Sequence, residues 1–141
     1  MGMDKRRVLL IHPLGYDARK ANRDISRVAN LMPPLGLASI AAYLEQQGLI
    51  ADIIDCFANP YSDRDIDEYV SKYRPRFVGA TCTTAGFMDA ARIFRRVKES
   101  SPDTYCIAGG PHVSALRERI IKDFPEVDYV VVGEGESVLR R

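Results

Sequence analysis

Tyr105-Cys106-Ile107-Ala108-Gly109-Gly110-Pro111-His112-Val113-Ser114-Ala115-Leu116 is an apolar run, a diglycine, and a proline that opens an amphipathic stretch. A run of this kind reads as a short buried strand. Two consecutive glycines at its end let backbone approach backbone, or a ligand, where a Cβ would collide. Pro111 cannot extend a strand, but its fixed φ suits the first turn of a helix. A strand that feeds a helix through a Gly-rich bend is the working edge of an open α/β sheet, where ligands sit at the carboxyl ends of the strands.

The same alternation runs outward from this stretch. Val8-Leu9-Leu10-Ile11 is a continuous apolar run of the sort a parallel strand needs when both its faces are covered. About twenty residues without a clear core face follow it, and a loop that long in a small domain is usually functional or mobile. Within it, residues 24–30 are expected to form a short helix. Pro34 opens a helix of Leu35, Leu37, Ala38, Ile40, Ala41 and Leu44, closed by Gly48. Being apolar nearly all round, it is expected to be well buried. Residues 51–55 form the second strand. Ser62-x-x-Asp65 resembles a capping box for a helix with Ile66, Tyr69, Val70 and Tyr73 on one face. Residues 77–81 give the third strand. The next helix turns Phe87, Ala90, Ala91, Phe94 and Val97 inward, with Arg92, Arg95, Arg96 and Lys98 expected on a solvated face. Residues 104–108 are the fourth strand, followed by a helix burying Val113, Leu116, Ile120 and Phe124. Residues 128–132 are the fifth, and a further helix is expected after Glu136.

Five strands alternating with helices predict a single α/β domain over residues 1–141, with a parallel sheet and right-handed crossovers. The expected architecture is a flavodoxin-like (Rossmann-like) three-layer sandwich of order 2-1-3-4-5, with its switch point between the first and third strands.

Composition narrows the function. With 141 residues, a formal net charge of +1 and 46% apolar residues, the chain has the profile of a soluble globular domain, and no charge excess favours nucleic acid or an anionic membrane. The longest apolar run is far short of a membrane span, and the N-terminus lacks the apolar region of a signal peptide, so a cytoplasmic location is expected. Cys56, Cys82 and Cys106 form neither a C-x-x-C pair nor a zinc framework, and are read as reduced, mostly buried thiols.

Four segments should converge on the carboxyl edge: His12-Pro13-Leu14-Gly15, Thr81-Cys82-Thr83-Thr84, Gly109-Gly110-Pro111-His112 and Gly133-Glu134-Gly135-Glu136. Each alone could be no more than a tight turn; four together favour a large polar ligand approaching backbone N–H groups. Flavin is disfavoured, because the first strand is not followed by a hydroxyl-rich phosphate loop. A phosphoreceiver would need an acidic residue where Thr81 stands. A G-x-G-x-x-G dinucleotide fingerprint after the first strand is absent.

Pro33-Pro34-Leu35-Gly36-Leu37-Ala38-Ser39-Ile40-Ala41-Ala42-Tyr43-Leu44, then Gly48 and Ile53-Ile54-Asp55, resembles the start of the cobalamin (vitamin B12)-binding domains of radical S-adenosylmethionine enzymes. Phe77-Val78-Gly79-Ala80-Thr81, Ala108-Gly109-Gly110-Pro111-His112 and Val127-Asp128-Tyr129-Val130-Val131-Val132-Gly133-Glu134-Gly135-Glu136 continue the match in order over nearly the whole chain. The resemblance implies a corrin over the carboxyl edge with its nucleotide tail in the switch-point crevice. It implies Thr81, Thr83 and Thr84 beside the tail, Gly109 and Gly110 leaving it room with Pro111 and His112 next to them, and Gly133, Glu134, Gly135 and Glu136 as the last loop. Leu14, Gly15 and Tyr16 would form part of the lower wall.

Two departures matter. Cobalt-ligating members carry D-x-H-x-x-G, but Leu10 stands where the Asp belongs before His12, and a ligating His needs an acceptor behind it. The expectation is therefore no protein metal ligand, with His12 making local contacts. The C-x-x-x-C-x-x-C that holds a [4Fe-4S] cluster is also missing. The cluster and S-adenosylmethionine would belong to a downstream core, in a longer chain of which this would be the N-terminal part, unless it is a stand-alone relative. No catalysis is expected from these residues alone. Two other readings compete: a degenerate domain that binds no corrin and serves as scaffold for the catalytic core, and a small enzyme using Glu134 or Glu136 as a base.

Overall fold

A computed structural model describes residues 2–14, 35–59, 62–84 and 86–133. The helices expected over residues 24–30 and after Glu136 lie outside the described residues. Five strands, β1 (Asp4–His12), β2 (Ile50–Asp55), β3 (Pro75–Thr81), β4 (Tyr105–Gly109) and β5 (Tyr129–Val130), form one sheet. Every neighbouring pair is parallel and the order is β2-β1-β3-β4-β5, as the alternation predicted.

The helices divide between the two faces of the sheet, giving three layers. Side chains alternate along a strand, so Leu9, Ile11, Val78, Ala80, Cys106 and Ala108 share one face and Val8 and Leu10 the other. The first set joins a core with Ile66 and Val70 of α2 (Asp63–Tyr73), Phe94 and Val97 of α3 (Phe87–Ser100), Val113 of α4 (Pro111–Leu116) and Ile120 of α5 (Glu118–Asp123). The second set packs against Leu37, Ala41 and Leu44 of α1 (Leu35–Gln46).

Several expectations are corrected. The α1 helix is buried on one face only: Leu35 is 67% exposed, and Ala38, Ser39 and Ala42 face outward. It lies chiefly over β1 and β2, with Phe77 of β3 packed against the same cluster, and no second layer stands behind it among the described residues. Its stop is as predicted. Gly48, at φ +82°, closes the helix while the Leu49 N–H reaches back to the Leu44 carbonyl. The capping box is absent, because the Ser62 hydroxyl donates to the Asn59 carbonyl at 2.6 Å and makes no cap bond to α2. The helix expected after β4 is two short helices broken at Arg117, whose φ is +50°.

The basic cluster on α3 is not simply a solvated face. Arg92 bridges Asp63 and Asp89, Arg96 pairs with Asp63 and Asp67, Arg95 with Glu126, and Lys98 with Asp128. These partly exposed cations bind α3 to α2 and to the segment entering β5.

Phe94 is fully buried at the centre of the larger core. Phe94→Ala removes a ring with no room to collapse, and is expected to lower unfolding free energy by about 3–5 kcal/mol in a urea titration. The guanidinium of Arg92 holds the Asp63 carboxyl below its ordinary range. A depressed carboxyl contributes stability above its unfolded pKa and loses it as pH falls through the folded value. Asp63→Asn should therefore lower Tm at pH 7, and the gap to the native chain should close below about pH 4. Thermal melts across that range test the sign.

Candidate functional site at the carboxyl edge

Each strand delivers one turn to the carboxyl edge, and these turns interlock. Gly110 follows β4 with φ +98° and ψ −178°, a conformation essentially reserved for glycine. A Cβ there would lie 2.7 Å from the Cys82 nitrogen, 2.8 Å from the Cys82 oxygen and 3.0 Å from Thr81 Oγ1. The Cys82 N–H donates to the Gly109 carbonyl at 2.7 Å, and the His112 N–H donates to the Cys82 carbonyl at 3.1 Å. The space that Gly110 frees is thus filled by the backbone of the neighbouring turn. Gly109 is looser, since a Cβ on it would make only ordinary contact with Val131 at 3.7 Å.

The turns after β1 and β3 also touch. The Leu14 N–H donates to Asp89 Oδ2 at 3.0 Å, and a Cβ on Gly86 would meet Pro13 at 3.6 Å and the Leu14 oxygen at 3.8 Å. Asp89 is itself held by Arg92. Thr83 Oγ1 accepts the Gly86 N–H at 3.2 Å, closing the turn into α3. Thr83 and Thr84 are both exposed.

Two histidines stand on this edge. His12 Nδ1 lies 3.1 Å from Asp55 Oδ1, and its ring stacks on Phe57 with centroids 5.4 Å apart. Asp55 also accepts the N–H groups of Phe57 and Ala58. The carboxylate missing at Leu10 is therefore supplied by β2, where Asp55 is the register partner of His12. His112 Nδ1 lies 3.3 Å from Thr84 Oγ1, and its ring lies 4.8 Å from that of Phe87. Pro111 opens α4 as expected, and the Gly133 N–H donates to Ser114 Oγ at 3.4 Å.

The structure thus brings Leu14, Thr81, Thr83, Thr84, Gly109, Gly110, Pro111, His112 and Gly133 to one edge. Gly15, Tyr16, Glu134, Gly135 and Glu136 lie outside the described residues. Asp55 as partner of His12, Phe57 as its stacking surface and Asp89 as the tie to Leu14 were missed. The first was readable from β1–β2 register, because both residues end their strands. Burial pushes the thiols of Cys56, Cys82 and Cys106 up to about 12. They stay protonated at neutral pH and are poorly suited to metal ligation or nucleophilic attack. Among the described residues no cluster of His, Cys, Asp and Glu could hold a metal ion.

This is an open, doubly wound α/β domain whose carboxyl edge is lined by threonine hydroxyls, glycines and two imidazoles. The family model for the B12 binding domain matches residues 24–141. The anaerobic magnesium-protoporphyrin IX monomethyl ester cyclase of Rubrivivax gelatinosus is 33% identical over 134 residues, which are 94% of this chain and 23% of that protein. An uncharacterised methyltransferase of Pyrococcus horikoshii is 36% identical over 77% of this chain and 23% of its own length. The cobalamin-dependent radical SAM methyltransferase TokK of Streptomyces tokunonensis is 28% identical over 76% of this chain and 16% of its own. The radical S-adenosylmethionine methyltransferase TsrM of Kitasatospora setae, solved with cobalamin and a [4Fe-4S] cluster, superposes with a TM-score of 0.76 at 20% identity. That match covers 96% of this chain and 25% of TsrM. The chain belongs to the B12-binding domain family, and its relatives include cobalamin-dependent radical SAM methyltransferases. It spans about a quarter or less of the length of these relatives.

Gly110→Ala should force both the Gly-only backbone and the Cys82 contact to shift, costing well over the roughly 1–3 kcal/mol of backbone strain alone. Gly133→Ala, with nothing among the described residues within 4 Å of its Cβ, carries the strain of its positive φ without such a clash. Urea unfolding of the two variants should rank them in that order. A bulky substitution at Gly110 therefore reports on the fold before it reports on any ligand.

Proposed function

We propose that this chain is the cobalamin-carrying module of a cobalamin-dependent radical S-adenosylmethionine enzyme. It holds the corrin at the carboxyl edge of the sheet with no protein ligand to cobalt. The observation that carries the reading is the family match over residues 24–141, on a domain whose carboxyl edge exposes Thr83, Thr84 and Gly133. The donor set fits. The exposed hydroxyls and the His112 imidazole suit the amides and nucleotide tail of a corrinoid, and Leu14, Thr81, Gly109, Pro111 and Gly133 add low relief beside them. Bound cobalamin would supply a cobalt-centred methyl carrier. The methyl transfer, or a related radical reaction, would be carried out by a catalytic core elsewhere in the polypeptide. That core would also hold the [4Fe-4S] cluster and S-adenosylmethionine, for which the three buried cysteines here are unsuited.

The proposal of no protein ligand to cobalt rests on the missing D-x-H-x-x-G pattern around His12. Asp55, 3.1 Å from His12 Nδ1, supplies the acceptor that Leu10 cannot, so the His12→Ala titration below decides between the two arrangements. No helix among the described residues is long and apolar enough to cross a membrane, which accords with the cytoplasmic location we propose. The scaffold reading keeps one observation in its favour: the space beside Gly110 is filled by the chain itself.

The test is an absorbance titration of the chain with hydroxocobalamin and methylcobalamin, followed by gel filtration. Retained pigment with a base-off spectrum, unchanged by His12→Ala, is the expected outcome. An imidazole-ligated spectrum that His12→Ala abolishes would overturn the ligand-free arrangement. Pigment lost from a folded chain would favour the scaffold.

A further inference from the structure

The described turns of the carboxyl edge, residues 12–14, 56–59, 82–84, 86, 109–114 and 131–133, contain no lysine or arginine. Arg92, one turn into α3, is committed to Asp63 and Asp89. Cationic charge at this edge can therefore come only from imidazole among those residues, and both histidines of the chain are there. They are not equivalent. His12 Nδ1 is engaged by the Asp55 carboxylate at 3.1 Å. His112 faces a hydroxyl.

His112 is held at three points. Its N–H is held by the Cys82 carbonyl, its ring rests against Phe87, and Nδ1 meets Thr84 Oγ1. When the Thr84 hydroxyl donates to Nδ1, the hydrogen of the neutral ring sits on Nε2; when Nδ1 donates to Thr84 Oγ1, a neutral Nε2 is an acceptor. The first arrangement makes Nε2 a donor, and it is the one an anion beside Nε2 selects.

We infer that His112, oriented by Thr84, is a positioning residue that donates from Nε2 to the phosphodiester of the corrinoid's nucleotide tail. This rests on the cobalamin reading above and adds a specificity to it. The phosphodiester is the anion of the tail, and a hydrogen bond to an ionised acceptor is roughly twice as strong as one between neutral groups. A corrinoid cut back to its ring and side chains lacks that anion, so His112 would select for the intact tail.

The test compares affinities for hydroxocobalamin and for aquacobinamide, which lacks the phosphate, ribose and base. The 141-residue chain is titrated as wild type, His112→Phe and His112→Gln. His112→Phe keeps a ring against Phe87 and removes the donor; His112→Gln restores a donor. Hydroxocobalamin binding should weaken about tenfold in His112→Phe and largely recover in His112→Gln, while aquacobinamide stays within about twofold throughout. Equal losses for both corrinoids would assign His112 to packing and overturn the inference, as would no loss for either. Aquacobinamide bound by the wild type at least as tightly as hydroxocobalamin would also overturn it. A folded wild type that retains neither corrinoid would instead overturn the cobalamin reading itself.

Discussion

The close approach of Gly110 to the Cys82 backbone is the constraint on which the carboxyl edge depends. In a parallel sheet the turns at one edge belong to elements far apart in sequence, and nothing in the strand ladder obliges them to meet. Here the Cys82 N–H and C=O bind the residues on either side of Gly110, and a side chain on Gly110 would break both bonds. The contact fixes the start of α4 relative to the β3 turn. With that fixed, Thr84 and His112, 28 residues apart, stand within hydrogen-bond range. A diglycine that looks in sequence like room for a ligand is first of all room for the chain.

A second tie joins the other side of the switch point. Asp89 accepts the Leu14 N–H with one oxygen and Arg92 with the other, while Arg92 reaches Asp63 on α2. Individually such partly exposed pairs contribute little, because solvent screens them and long side chains lose entropy. As a chain of shared partners they link the end of β1 to two helices. Their value lies in position more than in stability: the β1 turn is held against the turn after β3.

The fold was largely legible because its signals are local. Val8 to Ile11, Phe77 to Thr81 and Cys106 to Ala108 are short apolar runs, each closed by a turn. What was not legible depends on partners that one dimension hides. The α3 cations looked solvated because Asp63 and Glu126 lie 29 and 31 residues away from the arginines they meet. Ser62 looked like a cap because its spacing to Asp65 is right, yet its hydroxyl is already used by Asn59. At the edge, His12 was judged by the Leu10 position alone. Its carboxylate comes from the neighbouring strand, and counting both strands to their ends would have paired it with Asp55.

The α1 side of the sheet shows how the same strands serve core and edge. Phe77, Tyr105 and Tyr129 form a row across β3, β4 and β5, with ring centroids 5.7 and 5.6 Å apart. A parallel sheet is normally covered on both faces, and among the described residues α1 packs chiefly on β1 and β2, with Phe77 at its border. The tyrosines, 40% and 50% exposed, tolerate that position because each has an apolar body and a polar tip. Further along the strands the same face passes through Gly79 and Ile107 to Thr81 and Gly109, which are register partners across β3 and β4. On this face β3 and β4 therefore carry aromatic rings near their amino ends and finish, at the carboxyl edge, with Thr81 and Gly109. The change in side chains leaves the parallel ladder between β3 and β4 intact, so the turns after Thr81 and Gly109 start from adjacent, rigidly held strand ends.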